Sequence, residues 1–195
     1  MGNKQEVEKR AILPLDQKQA IKDRLVEQGA KLNGEIFVRD IYFCPNSVKS
    51  FKEIEMDEVG SYSLRIREER KGNKIQKDMN VKVITSYGDH HSWAEHEIGI
   101  SSLEDTEAIL KAIGFKPFCR IEKTRQEFKL ANKNVFFEDI SGFGLGIEVE
   151  ILTTPEKAEK AKVEIDDFLH VLGVNDSQIV PKSITNIIMR QKAKF

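Results

Sequence analysis

Segment after segment of this chain reads as a β-strand with charged residues placed two positions apart. Glu6-Val7-Glu8-Lys9-Arg10 opens the series, and Leu64-Arg65-Ile66-Arg67 and Val81-Lys82-Val83 repeat it. Glu95-His96-Glu97-Ile98, Ile121-Glu122-Lys123-Thr124-Arg125, Phe137-Glu138-Asp139-Ile140 and Ile147-Glu148-Val149-Glu150-Ile151 continue it. Alternate side chains of a strand share one face of its sheet. One face therefore collects the acids Glu6, Glu8, Glu95, Glu97, Glu138, Glu148 and Glu150. The same face collects the bases Arg10, Arg65, Arg67, Lys82, Lys123 and Arg125.

Two architectures accommodate such a face. In the first, a half-buried antiparallel sheet turns it to water, and cross-strand ion pairs add only about 0.2–1 kcal/mol each. In the second, the sheet closes into a barrel with a charged interior, and its aliphatic side chains pack outward against helices. Burial then costs several kcal/mol for each unpaired ion, so the charges must meet partners. Carboxylates are the oxygen ligands that Mg²⁺ and Mn²⁺ prefer. Arginine and lysine clamp phosphate oxygens. Both sets in one tunnel suit a metal–triphosphate complex.

The rest of the chain narrows the options. Its 195 residues fit one domain or two very small ones. A chain of this size buries about 70% of its unfolded surface and needs no disulfide or structural metal to fold. Charged residues make up 32%, yet the formal net charge is −1, so no global field draws a nucleic acid duplex or a membrane. Cys44 and Cys119 form no metal-binding or redox motif. No apolar run approaches the roughly 18 residues of a membrane span, so the expectation is a soluble, cytoplasmic protein. Turn and cap signals place strands at Gln5–Leu13, at FVRDIYF, in a hairpin from SYSLRIREER to KDMNVKVITS, and at WAEHEIGI, CRIEKTRQEFKL, NVFFEDI and GIEVEIL. Helices are expected after Asp16, with Ala20, Ile21, Leu25 and Val26 on its apolar stripe, and after Ser102. Two more are expected, from Pro155 to Leu172 and over SITNIIMRQK. The fold class is α+β, an antiparallel sheet or barrel with peripheral helices.

Taken in order, these segments resemble the CYTH superfamily, the triphosphate tunnel metalloenzymes, which include class IV adenylyl cyclases and thiamine triphosphatases. The family's ExExK reads E-V-E-K-R here, with Arg10 in place of the lysine. RDIYF, LRIR, Lys82, EHE and IEKTR follow in family order. EDISGFGLGIEVE is similar to the family's LDxxxGLGxFxEIE, with Glu138 where the family carries aspartate. PKSITNII is similar to the closing KSYxELL and nominates Lys182.

The resemblance implies a single domain over residues 1–195 and a closed eight-stranded antiparallel β-barrel, the triphosphate tunnel, with helices outside. It implies Glu6, Glu8, Glu148 and Glu150, assisted by Glu138, as ligands of Mg²⁺ or Mn²⁺. It implies Arg10, Arg65, Arg67, Lys82, Lys123, Arg125 and Lys182 as phosphate ligands, with Lys82, Arg125 and Lys182 closest to the chemistry. Glu95 and Glu97 are supporting acids. The expected ligand is a triphosphate-containing small molecule, and a homodimer is left open as the assembly. The expected activity is a triphosphatase acting on a nucleoside, thiamine or inorganic triphosphate. A class IV adenylyl cyclase and a non-catalytic polyphosphate-binding module are the alternatives.

Overall fold

A computed structural model describes residues 5–55, 58–84, 93–181 and 183–195. Lys182 and the side chain of Glu6 lie outside the described residues. The strands are β1 (Gln5–Leu13), β2 (Lys31–Pro45), β3 (Tyr62–Lys71), β4 (Lys74–Ile84), β5 (Trp93–Gly99), β6 (Phe115–Leu130), β7 (Lys133–Ile140), β8 (Gly144–Thr153) and β9 (Ile179–Val180). The α-helices are α1 (Lys18–Glu27), α2 (Leu103–Ala112), α3 (Ala158–Val171) and α4 (Ile184–Lys192).

The strands form one sheet in the order β5-β4-β3-β2-β6-β7-β8-β1-β9. The fold is thus α+β with a large antiparallel sheet. Among the described residues no ladder closes it into an eight-stranded barrel. The outer edge of β1 pairs instead with the short β9, through Arg10↔Val180 and Ala11↔Ile179. At two residues, β9 is too short to show any alternation, and the sequence patterning did not announce it.

The chain divides into two compact units that interleave in sequence. The first comprises Met1–Ile36 and Lys123–Ile184. Its core lies on one face of the β6-β7-β8-β1 strands, where Val7, Ala11, Phe128, Val135, Phe137, Leu145, Ile147 and Val149 point. Against them pack Ile21 and Leu25 of α1 and Ala161, Ile165, Phe168 and Leu169 of α3. The α3 positions recur at the three- and four-residue spacing of one helical stripe. On this face Lys9 and Lys133 reach carboxylates of α3: the Lys9 ammonium donates to Asp166 at 2.6 Å, and Lys133 pairs with Glu164.

The second unit comprises Phe37–Glu122 and Thr185–Phe195. Its core joins Ile41 and Phe43 of β2 and Ile66 of β3 to Leu103 and Leu110 of α2. Ser102 caps α2 as expected, its hydroxyl oxygen accepting from the Asp105 amide at 3.1 Å. The α1 cap differs from expectation. Leu15–Gln17 winds as a 3-10 turn, and α1 starts after Gln17 with no side-chain cap bond. Its buried stripe is only Ile21 and Leu25, while Val26 is exposed.

Packing should dominate stability in the first unit. Leu169→Ala, at a fully buried position, is expected to cost about 2–5 kcal/mol in urea unfolding. Val163→Ala, on the exposed side of the same helix, should stay within about 0.5 kcal/mol.

Candidate functional site

The first unit places its charged side chains on the face opposite its core. Register explains how. Glu8 sits across from Glu150 and Arg10 across from Glu148 in the β1–β8 ladder. Arg125 sits across from Glu138 in the β6–β7 ladder. Carboxylate oxygens of Glu8, Glu148 and Glu150, all half-buried, lie within 4.8 Å of one another. Oxygen donors converging from two adjacent strands fit a hard divalent cation such as Mg²⁺ or Mn²⁺. Arg10 reaches into the same cluster, donating to Glu8 and, through Nε, to Glu148 at 2.5 Å. Burial alone would lower the Arg10 pKa, but Glu148 and Glu8 outweigh it and raise it.

Beside this cluster, Glu138 is 5% exposed and Lys123 7%. Glu138 Oε1 accepts from Lys123 Nζ at 2.6 Å and from Arg125 Nε at 2.8 Å. Arg125 also stacks over the Phe136 ring at 4.5 Å and reaches Glu148 at 4.0 Å. Burial would push the Glu138 carboxyl up, yet Lys123 and Arg125 prevail and hold it at about 2. Asp139, the neighbour of Glu138, points to the other face and pairs with Lys18 at 2.8 Å.

The second unit carries its own charged face, on β2, β3, β4 and β5. Arg67 clamps Asp40 in a bidentate pair, Nε to Oδ1 at 2.6 Å and the outer nitrogen to Oδ2 at 2.8 Å. The pKa of the buried Tyr42 hydroxyl is pushed up to about 12, by burial first and then by Asp40, against the pull of Arg65 and Arg67. Lys82 approaches Glu95 at 3.5 Å, and Asn80 donates to the same carboxylate. Glu97 is exposed. Two buried polar atoms here, Arg65 Nε and Asp78 Oδ1, have no hydrogen-bond partner. Burial first, then Glu97, raises the Asp78 carboxyl to about 6 despite Arg65 and Arg67.

Several of these residues were absent from the sequence expectations: Asp40, 1% exposed, Asp78, Asn80 and Tyr42. Asp40 was recoverable, since Asp40-x-Tyr42 alternates with the apolar Ile41 and Phe43 and meets Arg67 directly in register. Asp78 and Asn80 were recoverable in the same way, since they alternate with Met79 and Val81 on the parity of Lys82 and meet Arg67 and Arg65 in register. Of the expected site residues, Glu8, Arg10, Lys123, Arg125, Glu138, Glu148 and Glu150 share one face of the first unit. Arg65, Arg67, Lys82, Glu95 and Glu97 share one face of the second.

A match to the CYTH domain runs over residues 4–184. The chain belongs to the CYTH family. A protein of Methanocaldococcus jannaschii named a putative adenylate cyclase is 28% identical over 178 residues, 87% of this chain and 91% of that protein. The CYTH fold is shared with a solved Pyrococcus horikoshii structure at a TM-score of 0.75 and 19% identity, covering 95% of this chain and 99% of the other. It is shared also with a Hippeastrum putative adenylyl cyclase described as having a dominant triphosphatase activity. There the TM-score is 0.67 at 15% identity, with 97% of each chain covered. No helix among the described residues of this CYTH protein is long and apolar enough to cross a membrane.

The Glu138 and Asp78 carboxyls have opposite linkage. Glu138 titrates below its unfolded value, so its stabilisation is present above about pH 4.5 and fades as pH falls toward 2. Asp78 titrates above its unfolded value, so its contribution is favourable below about pH 4 and is lost as pH rises through 6. Asp78→Asn should therefore raise the melting temperature at pH 7 and leave it nearly unchanged at pH 4. Thermal melts at the two pH values check this.

Proposed function

We propose that this CYTH protein is a divalent-cation-dependent triphosphatase. The observation that carries the reading is the first unit's polar face, where Glu8, Glu148 and Glu150 converge beside Arg10, Lys123 and Arg125. An acid cluster for a cation and an adjoining basic cluster for phosphates are what a metal–triphosphate complex requires. Glu8, Glu148 and Glu150 would hold Mg²⁺ or Mn²⁺, with Glu6 a further candidate. When bound, the ion neutralises phosphate charge and lowers the pKa of water. Arg10, Lys123 and Arg125 bind the phosphates and stabilise charge as the terminal group departs. Arg65, Arg67, Lys82 and Lys182 are proposed as further phosphate ligands, with Lys82, Arg125 and Lys182 nearest the reacting group. Glu95 and Glu97 orient bases, as the Lys82–Glu95 approach suggests. The closed eight-stranded tunnel, a soluble cytoplasmic setting and a homodimeric assembly belong to the same proposal.

In the reaction, water adds to the terminal phosphorus, the bond to the bridging oxygen breaks, and orthophosphate leaves. The name of the Methanocaldococcus jannaschii relative favours a second reading. There a ribose 3′-hydroxyl attacks the α-phosphorus and pyrophosphate leaves.

Product analysis separates the two. The protein is incubated with ATP, inorganic triphosphate and thiamine triphosphate in Mg²⁺ or Mn²⁺. Orthophosphate release is expected; cyclic AMP and pyrophosphate without orthophosphate would overturn the triphosphatase reading. Glu148→Gln and Glu150→Gln should each lower turnover by about 100-fold or more, because the bound ion contributes several kcal/mol. Both side chains are only half-buried, so the variants should stay folded.

A further inference from the structure

Glu138 differs from the other acids of its face in what its carboxylate touches. Glu8, Glu148 and Glu150 converge on one another, with Arg10 donating to Glu8 and Glu148, and Glu138 is not part of that cluster. Its Oε1 is instead shared by Lys123 Nζ at 2.6 Å and by Arg125, through Nε at 2.8 Å and an outer nitrogen at 2.6 Å. Those are the charge-assisted distances at which the same two cations would hold a phosphate oxygen. We infer that Glu138 is an internal counter-anion, a positioning residue that holds Lys123 and Arg125 and competes with the ligand's phosphate for them, rather than a metal ligand. The inference rests on the triphosphate reading.

The physical case has three parts. Lys123 is buried and Arg125 half-buried, and a cation taken out of water is costly without an anion, so the unliganded protein gains from a carboxylate shared between them. One carboxylate against two cations leaves the trio with net positive charge, which still attracts a polyanion. The carboxyl is held at about 2, so it stays ionised throughout the neutral range and the competition does not depend on a proton. A glutamate suits the role because its length carries the carboxylate to both cations at once.

Glu138→Gln keeps the shape and removes the charge. Isothermal titration with inorganic tripolyphosphate in EDTA, and separately with Mn²⁺ alone, reads the two roles apart. The variant should bind tripolyphosphate about tenfold more tightly than the wild type. Its Mn²⁺ affinity should stay within about twofold of the wild type, while Glu148→Gln loses Mn²⁺ binding. Its melting temperature without ligand should fall, and tripolyphosphate should raise it by more than in the wild type. Loss of Mn²⁺ binding in Glu138→Gln, with tripolyphosphate affinity unchanged, would make Glu138 a metal ligand and overturn the inference. Wild-type binding of tripolyphosphate with no gain in the variant would overturn the inference alone and leave the triphosphatase reading standing. Binding by neither protein would overturn both. Should Glu138→Gln not fold, Glu138→Asp keeps the charge but withdraws it by one methylene. A gain over the wild type is expected there too, and no gain overturns the inference.

Discussion

Charge taken out of water must find charge. That requirement governs the polar face of each unit in this protein. On the first, Arg10 lies between Glu8 and Glu148, and Glu138 lies between Lys123 and Arg125. On the second, Arg67 closes on Asp40 with both prongs of its guanidinium. A buried pair gains little net stability over apolar packing, but losing one partner leaves an uncompensated ion that costs several kcal/mol. Such faces are therefore expensive to build.

The apolar faces make that expense affordable. In the first unit Leu145, Ile147 and Val149 alternate with Gly146, Glu148 and Glu150 along one strand, so the same ten residues of β8 serve core and site. The α3 helix covers the core side. The α2 helix does the same in the second unit, over Ile41, Phe43 and Ile66. Gly146 shows how tightly the two roles are joined. It lies across from Glu138, and a Cβ there would stand 2.6 Å from the Ile184 side chain.

Much of this was legible beforehand because strand parity is strict. Glu8, Arg10, Glu148 and Glu150 each sit two residues from another charged side chain and next to an apolar one, Lys123 and Arg125 lie two apart, and Glu138 follows the apolar Phe137. Helix ends were less legible. Ser102 capped its helix, but Asp16 fell in a 3-10 turn, because a cap depends on where the preceding chain is anchored as much as on residue type. The short β9 gave no pattern at all. The faces of Asp40, Asp78 and Asn80 were readable by parity, but their burial was not, since only neighbouring strands make them buried.

The sequence by itself determined which residues share a face, which family the chain resembles and which charged side chains each polar face carries. These follow from a two-residue period and from residue chemistry, both local. Only the tertiary structure decided who pairs with whom. Cross-strand register put Arg10 beside Glu148 and Glu138 beside Arg125. Side-chain reach then sent Glu138 to the cations while Glu8, Glu148 and Glu150 converged on one another. Pairing and burial depend on residues far apart in the chain, and no local pattern encodes them.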